Sequence, residues 1–232
     1  MKNFFTAIRR INSLLLFGGL IVFTVLVLWG IGSGIEERNR DVVATAKTSK
    51  TGEELRFRLE EPKDIPDTDT QMLKLTASKA QSGIAYSGYE RNTRNILFLS
   101  GDDKAARWLF PNQDNVIHTA AQLLAPAEGE PGKGGAALAL YFVYSDQDTS
   151  GDGEVTKSDR SKLALAKADG EGFANVLSGI DHVYSVSLVG ERSISILYRV
   201  GKSLRHARYA VATLAKEFDR EVAGIPGIEH RD

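Results

Sequence analysis

The strongest constraint in this chain is a run with no charge at all, residues 11–35, lying between Arg10 and Glu36. Within it, Leu14 to Ile31 is dense in Leu, Val, Ile and Phe. A helix crosses a hydrocarbon core of about 30 Å with roughly 20 apolar residues at about 1.5 Å each. The run therefore predicts a transmembrane anchor over residues 14–34, embedded in membrane lipid. A secretory signal has a shorter apolar region, about 7–15 residues, ahead of a small-residue cleavage site. Gly32-Ser33-Gly34 mimics such a site, but the length of the run and the charged continuation Glu36 to Arg40 favour a retained anchor. Lys2, Arg9 and Arg10 precede the helix without an acidic residue, whereas Glu36, Glu37 and Asp41 mix with Arg38 and Arg40 after it. The positive-inside rule then places residues 1–13 in the cytoplasm and everything after the helix outside. That is a single-pass protein of the inner (cytoplasmic) membrane whose C-terminal domain is extracytoplasmic, which in a bacterium means the periplasm.

Past the anchor, residues 35–53 are polar and rich in Thr, Ala, Lys and Arg, and read as a juxtamembrane stalk. Residues 54–232 read as a soluble, mainly β domain. Glu54 to Leu59 alternates polar with apolar residues, the period-two pattern of a half-buried strand. Further strands are predicted at Met72–Ala77, Asn95–Leu99, Arg107–Phe110, Ala137–Tyr144, Lys162–Ala166, Phe173–Leu177, Val183–Val189, Ser193–Val200 and Ser203–Val211. Short connectors such as Asp169-Gly170, Gly190-Glu191 and Gly201-Lys202 separate them, as in an antiparallel meander of hairpins. Pro62, Pro66 and the Gly/Pro-rich stretch Pro126 to Gly135 mark loops. The tail Ala210 to Val222 has apolar residues at helical spacing, a reading that competes with a last strand ended by Gly224 and Pro226.

Composition removes several function classes. Twenty-nine Lys and Arg against thirty Asp and Glu give a formal charge of −1, so no global field draws the chain to nucleic acid. Without cysteine there is no disulfide, thiolate metal site or cysteine nucleophile.

The strand–turn–strand phrase recurs at Asn95 to Phe110, Leu138 to Ala166 and Ser193 to Val211. In spacing and in turns such as Asp169-Gly170, it resembles the blades of WD-repeat and Tol-type periplasmic β-propellers. The Gly-His and Trp-Asp signatures of WD repeats are missing. At about 40–45 residues per blade, the soluble part holds about four blades at most. The resemblance implies a closed, partial or irregular propeller, and a two-sheet sandwich fits the same pattern.

One loop carries metal chemistry. Residues 148–159 resemble an EF-hand calcium loop: Asp148 stands at position one, Ser150 and Asp152 at three and five, Gly153 at the sharp turn, and Asp159 at twelve. The resemblance implies Ca2+ held by the side chains of Asp148, Ser150, Asp152 and Asp159 and by the carbonyl of Glu154. Val155 supplies the usual apolar residue. The terminal Asp replaces the family's Glu, and strands rather than helices flank the loop. The competing reading is a hairpin connector that uses Asp, Ser and Gly for turn formation. A register beginning at Asp146 fails, because it puts Lys157 at the last ligand position.

Nothing else forms a constellation. His118, His182, His206 and His230 are scattered singly, and Ser82-Gly83 and Ser178-Gly179 lack a nucleophile-elbow frame. Gly129 to Gly135 lacks the Lys-Ser/Thr ending of a phosphate loop. The sequence thus predicts no enzyme, but a membrane-anchored interaction module that binds another envelope protein. The alternative is an accessory subunit of a membrane transport or enzyme complex.

Overall fold

In the computed structural model, the residues described are 42–47, 54–79, 92–126 and 134–224. The predicted anchor at 14–34, its cytoplasmic flank, most of the stalk, residues 127–133 of the Gly/Pro-rich insert and residues 225–232 lie outside them. The described residues are mainly β, in antiparallel sheets, with no helix and no closed barrel.

Three successive meanders organise the chain from Glu54 to Gly224. The first contains β2 (Glu54–Leu59), β4 (Thr70–Lys79), β5 (Asn92–Ser100) and β6 (Ala105–Trp108), each antiparallel to the one before. The two-residue β3 (Lys63–Asp64) pairs with β4, and β1 (Val42–Lys47), within the segment read as a stalk, adds to β2. The second meander is β7 (Val116–Pro126), β8 (Gly134–Ser145), β9 (Ser161–Lys167) and β10 (Ala174–Ile180). A single register pair, Thr93↔Ile117, joins β5 to β7 and merges these two meanders into one ten-stranded sheet. The third forms a separate four-stranded sheet of β11 (His182–Val189), β12 (Ser193–Val200), β13 (Ser203–Ala210) and β14 (Lys216–Gly224).

Alternation along β8 shows how the meanders pack, because successive side chains of a strand leave opposite faces. Leu140, Phe142 and Tyr144 enter a core with Met72, Ile96 and Phe98 of the first meander. Phe98 meets Phe142 edge-on at 6.5 Å, and Phe173 packs against Phe110, Phe142 and Tyr144. Ala139 and Val143 join Leu163, Leu165 and Leu177 in a second core, closed by Ile194, Ile196, Tyr198, Ala207 and Tyr209 of the third meander. The middle meander is thus covered on both faces. The turn at Gly170 has φ +78°, and a Cβ there would stand 2.7 Å from the Phe98 ring, so glycine is required twice over.

Besides β1 within the predicted stalk and β3 within a predicted loop, the structure departs from the predicted elements in three places. The tail does not form a helix: Lys216–Gly224 is β14, paired with β13 along its length, and of the helically spaced apolar residues Ala210 ends β13, Val211, Leu214 and Ala215 lie in the connecting turn and Phe218 lies on β14. β7 was absent from the predicted strands because Ala, His and Gln dominate its middle, but pairing with β8 overrides that weak propensity. The strand predicted at Arg107–Phe110 lies earlier, at Ala105–Trp108, since Phe110 turns into the core and its N–H bonds Asn95 Oδ1.

Candidate functional site

The candidate calcium loop joins β8 to β9. Its neck is held by Ser145, fully buried, whose hydroxyl reaches the carbonyls of Asp159 and Arg160, each at 3.2 Å. His118 Nε2 lies 2.8 Å from the same hydroxyl. Because the one serine proton is directed to carbonyl oxygen, the imidazole N–H is the donor in this pair. The pair therefore braces β7 against β8 and does not form a nucleophile and base. Burial, followed by the charge of Lys157, holds the His118 pKa below its ordinary value.

Asp159 is the hub of the loop and is 4% exposed. Its Oδ1 accepts the N–H groups of Thr149 and Ser150 at 2.7 and 2.9 Å and the Thr149 hydroxyl at 3.2 Å. Its Oδ2 accepts Thr156 N–H at 2.8 Å and the Thr156 hydroxyl at 3.4 Å. Burial pushes this carboxyl up, but the N–H groups of Thr156, Ser150 and Thr149 outweigh it and bring the pKa down to about 2. Asp148 closes the other side, its Oδ1 accepting Gly151 N–H and its Oδ2 accepting Gly153 N–H, both at 2.7 Å. The Ser150 hydroxyl adds a 3.3 Å bond to Asp148 Oδ1. Gly151 and Gly153 sit at φ +78° and +95°, so the predicted sharp turn is present.

The remaining predicted ligands are less gathered. Asp152 accepts the Glu154 N–H at 2.9 Å, and the Glu154 carboxylate pairs with Lys79 at 3.4 Å. Asp146, outside the predicted register, is taken by Lys162. Among the described residues, no group of three or more His, Asp or Glu converges as a metal cage. A carboxylate offers about four lone-pair sites. Asp148 uses three and keeps capacity for a hard cation, and Ser150 oxygen keeps its own. Asp159 is saturated, so an ion drawing on it would exchange loop hydrogen bonds for coordination.

A second constellation, not singled out from the sequence, lies between β12, β13 and β14. The Tyr198 hydroxyl donates to Asp219, 2.9 Å from either oxygen. Arg205 Nε lies 3.1 Å from both the Tyr198 hydroxyl and Asp219 Oδ1, and its Nη2 is 3.0 Å from that carboxylate. Hydrogen bonds to Tyr198 and Asp219 raise the Arg205 pKa. Nearby, Tyr209 donates to the Val176 carbonyl at 2.8 Å, and burial, followed by the charges of Asp219 and Tyr198, pushes its pKa up to about 12. Spacing could not reveal this group, because the β13–β14 register creates it.

The outer face of the same sheet carries a third feature. Phe218 lies between the guanidinium groups of Arg208 and Arg220, 5.3 and 5.2 Å from its centroid, with His206 edge-on at 5.1 Å. His206 is tied to Ser195 at 2.8 Å. Of the four exposed large apolar side chains among the described residues, Tyr184, Val189 and Val222 belong to this sheet, and Trp108 to β6.

No family model matches the chain, and no curated protein matches it. Among solved structures, a luciferin-regenerating enzyme is similar with a TM-score of 0.34 and 12% identity, covering 78% of this chain. The match spans 60% of that enzyme's chain, and a likeness at this level decides neither fold type nor activity.

Proposed function

We propose that this chain is a membrane-tethered interaction module of the cell envelope, anchored by residues 14–34 with its β domain extracytoplasmic. In this reading the three meanders form an open, blade-like arc rather than a closed ring. The double coverage of β7–β10 and the single register pair between the first two meanders support that arrangement.

The observation that carries the function is the outer face of β11–β14. It joins arginines, an aromatic ring and exposed apolar side chains, the residue types that dominate binding energy at interfaces. Arg208 Nε on this face is buried, with no hydrogen-bond partner among the described residues. Arg208 and Arg220 repel a second copy of the same face, so the occupant we propose is an acidic surface of another envelope protein. Two topology reporters test the placement: one fused after Asp232 is expected to be active outside the membrane, and one near Asn12 inactive there. Isolation of the full chain in mild detergent at low salt is expected to bring one stoichiometric partner, lost on Arg208→Glu with Arg220→Glu. Purification as a lone monomer at low salt contradicts the module. A stoichiometric polytopic partner assigns the chain instead as a subunit of that protein's complex.

Calcium belongs to the same proposal as a stabiliser of the loop, with Asp148, Ser150, Asp152, Asp159 and the Glu154 carbonyl as its oxygen set. An ion that binds only the folded form adds about 2.7 kcal/mol at roughly one hundred times its dissociation constant. Millimolar calcium is therefore expected to raise the melting temperature, and Asp148→Ala to remove the rise. An unchanged melting temperature for the wild-type chain overturns this part alone.

A further inference from the structure

Between β10 and the ends of β12, β13 and β14 lies a cleft of about 520 Å³, within the range of roughly 300–1,000 Å³ common for binding sites. One wall is the stretch Asn175–Ser178 of β10. β10 pairs with β9 along one edge and ends the ten-stranded sheet there. Register shifts drop Val176 and Ser178 from the ladder with β9. Tyr209 occupies the Val176 carbonyl, and among the described residues no further strand pairs with the other side of β10, which is an open edge.

The facing wall is polar and selective. Arg205 is already committed to Asp219 and Tyr198, so it offers little to an anion. Glu221 adds a second carboxylate, so the charged lining is Asp219 and Glu221 against Arg205, a net charge of −1. The Ser203 hydroxyl is buried with no hydrogen-bond partner among the described residues. Val176, Leu177 and Val200 supply an apolar strip beside these groups.

We propose that this cleft binds an extended peptide segment bearing lysine or arginine. Its backbone adds to the open edge of β10, the aliphatic stem of the basic side chain lies along Val200, and the cationic head sits against Glu221 and Asp219. Strand addition supplies affinity through main-chain hydrogen bonds, and the acidic wall selects the side chain. A free amine would satisfy the carboxylates but leave the strand edge unmet. The site is separate from the basic outer face of β11–β14 and does not depend on it.

Calorimetric titration of the full chain in detergent micelles tests this, with acetyl-Val-Lys-Val-Lys-Val-amide as the probe. Saturable binding is expected at millimolar peptide or below, weakened at least about tenfold when both lysines become glutamate and likewise when alternate backbone amides are N-methylated. Glu221→Lys, at an exposed strand position, is expected to produce a similar loss, with Glu221→Gln intermediate; both variants are checked for an unchanged circular dichroism spectrum. If Glu221→Lys disturbs that spectrum, Glu221→Gln alone decides, and wild-type affinity for it overturns the proposal. Equal affinity for the lysine and glutamate peptides, indifference to N-methylation, or no saturable heat also overturns it. Spermidine binding as tightly as the peptide overturns the strand-addition geometry and reassigns the cleft to free amines.

Discussion

The second and third meanders are both four-stranded and antiparallel, yet their chemistry diverges. β8 and β9 send apolar side chains to both faces, whereas β12 and β13 alternate Ile194, Ile196, Ala207 and Tyr209 inward with Ser195, Leu197, His206 and Arg208 outward. A strand buried on both faces is a structural commitment, and one buried on a single face leaves the other for recognition. The difference puts the doubly covered core in the middle of the chain and leaves one face of residues 182–224 uncovered, the face on which the proposed binding rests.

The largest expected effect sets the two meanders against each other. Phe142→Ala empties a site between the first and second meanders and is expected to cost about 3–5 kcal/mol in urea unfolding, whereas Phe218→Ala on the outer face costs about 1 kcal/mol or less. Equal losses would break the contrast. Next comes Asp159→Asn, which turns an acceptor oxygen into a donor within a saturated hub and is expected to cost about 2 kcal/mol. The depressed Asp159 carboxyl contributes stability that is complete above its unfolded pKa of 3.8 and is lost as pH falls through about 2. Acid unfolding of the variant should lack that component between those two values.

A smaller effect concerns the join between the second and third meanders. Tyr209→Phe removes the bond to the Val176 carbonyl and is expected to cost about 1 kcal/mol. The Tyr209 pKa is raised, so its contribution is complete below 10.0 and is lost as pH rises through about 12, and the variant should lose less stability across that alkaline range. Smallest is the double substitution Arg208→Glu with Arg220→Glu, expected to change stability by about 0.5 kcal/mol or less while altering binding. A large destabilisation would mean that the outer face is structural.

Legibility in the sequence followed the same division. Strands with strong alternation or continuous apolar content, such as Glu54–Leu59, Ser193–Val200 and the core of β8, were readable because burial and β-propensity point the same way. β7 was not, since its Ala- and Gln-rich middle is strand only by pairing with β8. β14 was obscured because its own extra residues, Val222 opposite the Leu204/Arg205 step and Glu217 opposite the Arg208/Tyr209 step of β13, break the period that would mark it as a strand. Residues 148–159 turn sharply at Gly153, where φ is +95°. Spacing alone could not show that Asp159 is filled by Thr149, Ser150 and Thr156, which depends on the burial of the loop neck. The Tyr198–Arg205–Asp219 group was hidden for a related reason: its members meet only through the β13–β14 register.

Site-specific photo-crosslinking in intact cells tests the central claim most directly. A crosslinking side chain at Ser187, on the exposed outer side of β11, is compared with one at Asp102, in the exposed turn between β5 and β6. The account predicts one discrete crosslinked protein from position 187, abolished by Arg208→Glu with Arg220→Glu and absent from position 102. No adduct at position 187, or the same adduct from both positions regardless of the arginine substitutions, would contradict it.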